Sequence, residues 1–121
     1  MVISFSVKEA REQLLNKEVV YTFRWKRRKF FEKQLGTLEY TWFNEKRGGK
    51  AIGYVWIEEV GEFDPTAPLK PYVSQSGFKD LWEWQEVIEE MKHITWSSGW
   101  LYKVMLIALN DRQYGGQEDG S

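Results

Sequence analysis

The chain contains no cysteine. That absence excludes disulfides, thiolate nucleophiles and cysteine-based zinc sites. It has one histidine, His93, which excludes multi-histidine metal centres and leaves a Ser-His-Asp arrangement only that residue. Its place just after a predicted helix suits a loop or cap residue. Proline is confined to Pro65, Pro68 and Pro71, so only one stretch is marked for irregular backbone. No apolar run approaches the roughly 20 residues that span a bilayer. The opening MVISFSVKEAREQ turns charged too early for a signal peptide. These lacks predict a cytoplasmic protein with no membrane partner, no bound metal and no cofactor. Nothing in the sequence specifies its oligomeric state.

Aromatic residues, in contrast, make up 17% of the 121 residues and include seven Trp, within a hydrophobic share of 42%. A chain of this length and content can bury a core without covalent staples. One domain over residues 1–110 is expected, followed by a flexible tail over 111–121. Charge is segregated. YTFRWKRRKFFEKQ, residues 21–34, holds six bases against one acid, a net of +5, while the remainder holds 11 bases and 17 acids, a net of −6. The overall charge of −1 thus conceals a dipolar molecule.

Periodicity gives the elements. VISF reads as a short strand. In the following SVKE, Ser6 and Glu9 have capping-box spacing, and Val7, Ala10 and Leu14 recur at helical spacing, with Asn16 as the stop. VVYTFRW alternates, so Val20, Thr22 and Arg24 share one face and Val19, Tyr21, Phe23 and Trp25 the other. TLEYTWFNE and KAIGYVWIEEV form a hairpin around Gly48 and Gly49. The proline-bearing 61–77 stretch is an irregular crossover placed to lie across a face. Residues 77–92 form a second helix, with Ser76 as N-cap, an apolar stripe of Leu81, Trp84, Ile88 and Met91, and an acidic outer face. GWLYKVMLIAL is a central strand. The predicted fold is α+β in the order β-α-β-β-β-α-β: five or six mainly antiparallel strands in a small, partly closed barrel with two helices over its openings.

Four stretches, ISFSVKEAREQLLNKEVVYTFR, AIGYVWIEEVGEF, SGFKDLWEW and LYKVMLIAL, together resemble the ASCH family of the PUA-like superfamily. The likeness runs over residues 2–109. It implies a PUA-like barrel and a role in RNA metabolism, with RNA held in a cleft between barrel and helices. Thr22 and Arg24 match the family's Thr-x-Arg. Some relatives resemble amidohydrolases acting on N4-acetylcytidine through a Lys, a Thr and a Glu, and others are ribonucleases. For such an enzyme the resemblance implies Lys17, Thr22 and Glu58 or Glu59. Lys17 stands five residues before Thr22, where the amidohydrolase pattern has three, a position held here by Val19.

The residues themselves point to nucleic acid. Lys and Arg neutralise phosphates, Arg forks onto phosphate oxygens, and rings such as Trp25, Phe30 and Phe31 offer stacking platforms. A solvated loop anchored by its aromatics is the plainer alternative. The expected contacts are Thr22 and Arg24 inside a cleft, with Lys26, Arg27, Arg28, Lys29 and Lys33 on its rim and Lys46, Arg47 and Lys50 nearby. RNA is preferred to DNA on the resemblance alone. An RNA-binding module is therefore expected, with a small hydrolase on RNA or modified nucleosides as the alternative. Most of the Trp residues are assigned to packing.

Overall fold

The computed structural model describes residues 2–92 and 97–110. His93, Trp96 and the 111–121 tail, with the expectations attached to them, lie outside the described residues. The elements are β1 (Ile3–Ser4), α1 (Lys8–Lys17), β2 (Val19–Arg24), α2 (Lys29–Lys33), β3 (Glu39–Asn44), β4 (Ala51–Phe63), a 3-10 helix (Ala67–Gln75), α3 (Leu81–Glu90) and β5 (Gly99–Leu109). The strands form one five-stranded mixed sheet in the order β1-β3-β4-β5-β2, curled into a half-barrel. β1 pairs parallel with β3, and the other three pairings are antiparallel. β1 and β2 are therefore the two edges. No helix among the described residues is long and apolar enough to cross a membrane.

Strand alternation divides the side chains between two cores. The inner face presents Val20, Val55, Ile57, Tyr102 and Val104 to Ala10 and Leu14 of α1 and to Phe31 of α2. The outer face presents Phe23 and Leu101, which pack with Leu69 of the 3-10 helix, Phe78, and Trp84 and Ile88 of α3. Each large apolar side chain fully buried this way contributes about 1.5–3 kcal/mol. The proline crossover does lie across a face: Tyr72 meets Tyr21 at 4.9 Å and Phe63 at 5.7 Å between ring centroids.

Four local expectations are corrected. The basic stretch contains a third α-helix, α2, which its 21–34 charge pattern disguised; Phe31 anchors it, buried 5.6 Å from the Tyr102 ring. The Ser6–Glu9 capping box does not form, because α1 begins at Lys8 with Val7 at the N-cap. Asn16 does not end α1. Glu18 does, at φ 69° in the left-handed region, with its N–H donating to the Leu14 carbonyl. Ser76 does not cap α3. Asp80 does, accepting from the Glu83 N–H at 2.8 Å while Glu83 accepts from the Lys79 N–H at 2.9 Å, a reciprocal capping box. Ser76 is buried instead, donating to the Val73 carbonyl and accepting from the Phe78 N–H.

That buried turn brings Gly77 against α1. Gly77 has φ +93°, and a Cβ there would lie 2.4 Å from the Glu9 carbonyl oxygen. Both the backbone conformation and the contact require glycine. Gly77→Ala is expected to lose at least about 1–3 kcal/mol through backbone strain. In urea unfolding this appears as a lower midpoint at unchanged slope.

Candidate nucleic-acid interface

The end of β2 carries the predicted Thr22 and Arg24, and the structure brings them together. Both lie on the inner face, Thr22 opposite Tyr102 and Arg24 opposite Trp100. Arg24 Nε donates to Thr22 Oγ1 at 3.1 Å, and Nη2 donates to the Ser4 carbonyl at 3.1 Å. The guanidinium lies 5.2 Å from the centroid of the Phe5 ring. Among the described residues no carboxylate pairs with it. Desolvation, and then the like charge of Arg28, push its pKa down to about 10. Both causes act in the direction expected for a cation held out of water without a counter-charge.

Arg24 lines a cleft of about 80 Å³. At about 10–15 Å³ per water, this holds a small polar group rather than a whole nucleotide. One wall comes from Ser4, Phe5, Ser6, Val7 and Ala10, and the facing wall from Phe78, Trp84, Val87, Ile88 and Met91. The cleft is thus apolar-walled with a cation and a hydroxyl on its floor. Trp25 closes the neighbouring surface, its indole N–H donating to the Ile88 carbonyl at 2.9 Å. Lys92 sits over that ring at 5.6 Å.

Arg27 and Arg28 have a different use. Arg27 forks onto Glu59 at 2.7 and 2.8 Å and stacks on Trp100 at 4.3 Å. The Glu59 hydrogen bond holds its pKa above the ordinary arginine value, against a smaller desolvation effect. Arg28 forks onto buried Glu39 at 2.7 and 2.9 Å. The Tyr102 hydroxyl joins the two pairs, accepting from the Arg28 backbone N–H at 2.8 Å and donating to Glu59 at 3.3 Å. Carboxylates from β3 and β4 thereby meet two of the six cations of the basic run. Lys26, Lys29 and Lys33 are exposed, as are Lys46, Arg47 and Lys50 in the hairpin turn. The turn connects to the cleft through Ser4, whose hydroxyl donates to Asn44 Oδ1 at 2.5 Å, while Asn44 Nδ2 donates to the Gly49 carbonyl at 3.0 Å.

Lys17, Thr22 and Glu58 are not brought together. Lys17 is exposed on the last turn of α1. Glu58 pairs in register with Lys103 and points outward, on the face opposite Thr22. Glu59 is the inward residue of the two, and Arg27 and Tyr102 hold it. No group of three or more His, Cys, Asp or Glu side chains among the described residues is placed to hold a metal ion.

Residues 4–6, Phe78, Trp84 and Met91 of the cleft were not foreseen as site residues. Their sequence signals, an opening strand and an apolar helix stripe, are those of packing elements. Glu39 was missed because its strand partner, not its neighbours, explains a buried acid. Comparisons of the chain with protein-family models, with curated proteins and with solved structures find no match.

Two outcomes follow from the polar network. Glu39→Ala leaves the Arg28 charge buried without its carboxylate and is expected to cost about 3–5 kcal/mol, read by chemical denaturation. Tyr102 is pushed up to about 12, chiefly by burial. Because the folded value exceeds the ordinary value of 10.0, its contribution to stability is complete below pH 10 and is lost as pH rises towards 12. A spectrophotometric titration should therefore show one tyrosine ionising last, and Tyr102→Phe should remove that phase.

Proposed function

We propose that this chain is an RNA-binding module of the ASCH, PUA-like type, taking a phosphate or a polar base edge in the Arg24 cleft. The observation that carries this reading is the Arg24 guanidinium: desolvated, hydrogen-bonded only to a hydroxyl and a carbonyl, and with no paired carboxylate among the described residues. A bound anion offsets the cost of holding that charge out of water. The apolar walls from Phe5, Phe78 and Trp84 suit a base face or sugar. Lys26, Lys29 and Lys33, exposed just beyond β2, supply the phosphate contacts. Arg27 and Arg28 hold the segment in place, and their substitution acts first on folding. The preference for RNA over DNA rests on the resemblance to the family. The hydrolase alternative has less support, since Lys17 and Glu58 stand apart from Thr22.

The test is fluorescence anisotropy with short single-stranded RNA, duplex RNA and matched DNA at low and moderate salt. Arg24→Gln should weaken RNA binding about tenfold or more, the loss expected for a hydrogen bond from a charged group at about 1.5–3 kcal/mol. Arg24→Lys, which keeps the charge and loses the fork, should recover only part of it. Unchanged affinity in a folded Arg24→Gln protein, checked by thermal unfolding, defeats the reading.

A further inference from the structure

The outer face of the sheet is covered only over β2 and β5. On β3 and β4 it carries four aromatic side chains open to solvent: Tyr40 at 56% exposure, Trp42 at 36%, Tyr54 at 40% and Trp56 at 40%. They form two directly opposed cross-strand pairs, Tyr40 with Trp56 and Trp42 with Tyr54. The Tyr40 and Tyr54 rings are nearly parallel, 9° apart with centroids at 5.9 Å, and Trp56 tilts against Tyr40 at 5.2 Å. Cross-strand aromatic pairs stabilise a sheet by about 0.2–1 kcal/mol each. That gain explains two rings facing each other, but not four large rings left in water where polar side chains serve equally well.

The charge beside this face is one-signed. The turn joining the two strands carries Lys46, Arg47 and Lys50, all exposed. Its one acid, Glu45, lies 3.7 Å from Arg11. At the other end Glu58 stands opposite Lys103, and those charges offset each other. An aromatic surface continuous with a cationic turn is complementary to a chain of bases on a phosphate backbone. Alternate residues along a strand lie about 7 Å apart, so the rings form successive platforms leading from the turn.

We propose that this outer face is a second nucleic-acid site, binding a single strand by stacking its bases on Tyr40, Trp42, Tyr54 and Trp56 while Lys46, Arg47 and Lys50 hold its phosphates. It stands independently of the Arg24 cleft, which opens on the inner side of the sheet edge. Stacking of this kind is tolerant of base and sugar, so single-stranded RNA and DNA bind this face alike.

The experiment uses short oligouridylate and oligodeoxythymidylate with the full chain. In the wild-type protein, the indole N–H resonances of Trp42 and Trp56 shift on titration with either oligonucleotide. The double variant Tyr40→Leu with Trp56→Leu keeps apolar strand residues and lowers affinity roughly fivefold or more, as expected for lost stacking. Lys46→Gln and Lys50→Gln each reduce the salt slope by about 0.7. Arg24→Gln leaves the Trp42 and Trp56 shifts in place, which separates this site from the cleft. Silent indole resonances in the wild-type protein overturn the proposal, whether or not the double variant folds. So does unchanged affinity in a folded double variant. A concentration-dependent dimer in sedimentation equilibrium, abolished by the double variant and indifferent to oligonucleotide, reassigns the face to contact between copies of this chain.

Discussion

Two arginine side chains span the gap between the edges of the sheet. β1 is two residues long and pairs only with β3, through Ile3 and Ser4. β2 pairs only with β5. A curled sheet left in this state exposes backbone groups on both edges. Arg24, the last residue of β2, donates to the Ser4 carbonyl, and Arg28 donates to the Val2 carbonyl from both terminal nitrogens at 3.4 Å. The guanidinium suits this role, since it is long, planar and rich in donors, and remains charged in a partly dry setting. Side chains thus make the link that a backbone ladder makes in a closed barrel. The walls of the cleft depend on it, because β1 and the start of α1 supply one of them.

The two arginines differ in what neutralises them, and that difference separates scaffold from site. Glu39 on β3 meets Arg28 within the fold. Arg24 faces only neutral acceptors. With Arg27 on Glu59 and Tyr102 between the two pairs, the segment after β2 is tied to β3, β4 and β5 at once. A buried ion pair of this kind adds little net stability relative to apolar packing, because desolvation consumes much of the Coulomb energy. Its effect here is geometric: it fixes the path of the chain past the mouth of the half-barrel. The charge segregation of the sequence follows in part from this construction, since the acids that answer Arg27 and Arg28 come from strands outside the 21–34 window.

Much of the architecture was readable from local pattern. The alternation in VVYTFR assigned Thr22 and Arg24 to one face, where they meet at 3.1 Å. The paired glycines placed the hairpin turn, with Gly48 at φ +80°. The stripe of α3 named Trp84 and Ile88, both buried. Helix ends were less readable, because a cap depends on which residue begins the helix, and competing candidates such as Ser6 and Ser76 lie within a few residues of the true boundary. The function of the basic run was least readable. A count of charges cannot distinguish an arginine facing a carboxylate across the sheet from one facing a cleft.

By itself the sequence determined the α+β class, the order of strands, the face on which each strand residue lies and the clustering of positive charge. These follow from periodicities of two and 3.6 residues and from composition, which are properties of neighbours along the chain. Only the tertiary structure decided which cations are neutralised, that Glu59 and not Glu58 turns inward, that residues 4–6 and α3 wall the cleft, and that the rings of β3 and β4 stay uncovered. Each of those outcomes rests on contacts between residues tens of positions apart, such as Arg27 with Glu59 or Arg28 with Tyr102. The partner in such a contact is chosen by strand register and sheet curvature, and neither is written in any local stretch of sequence.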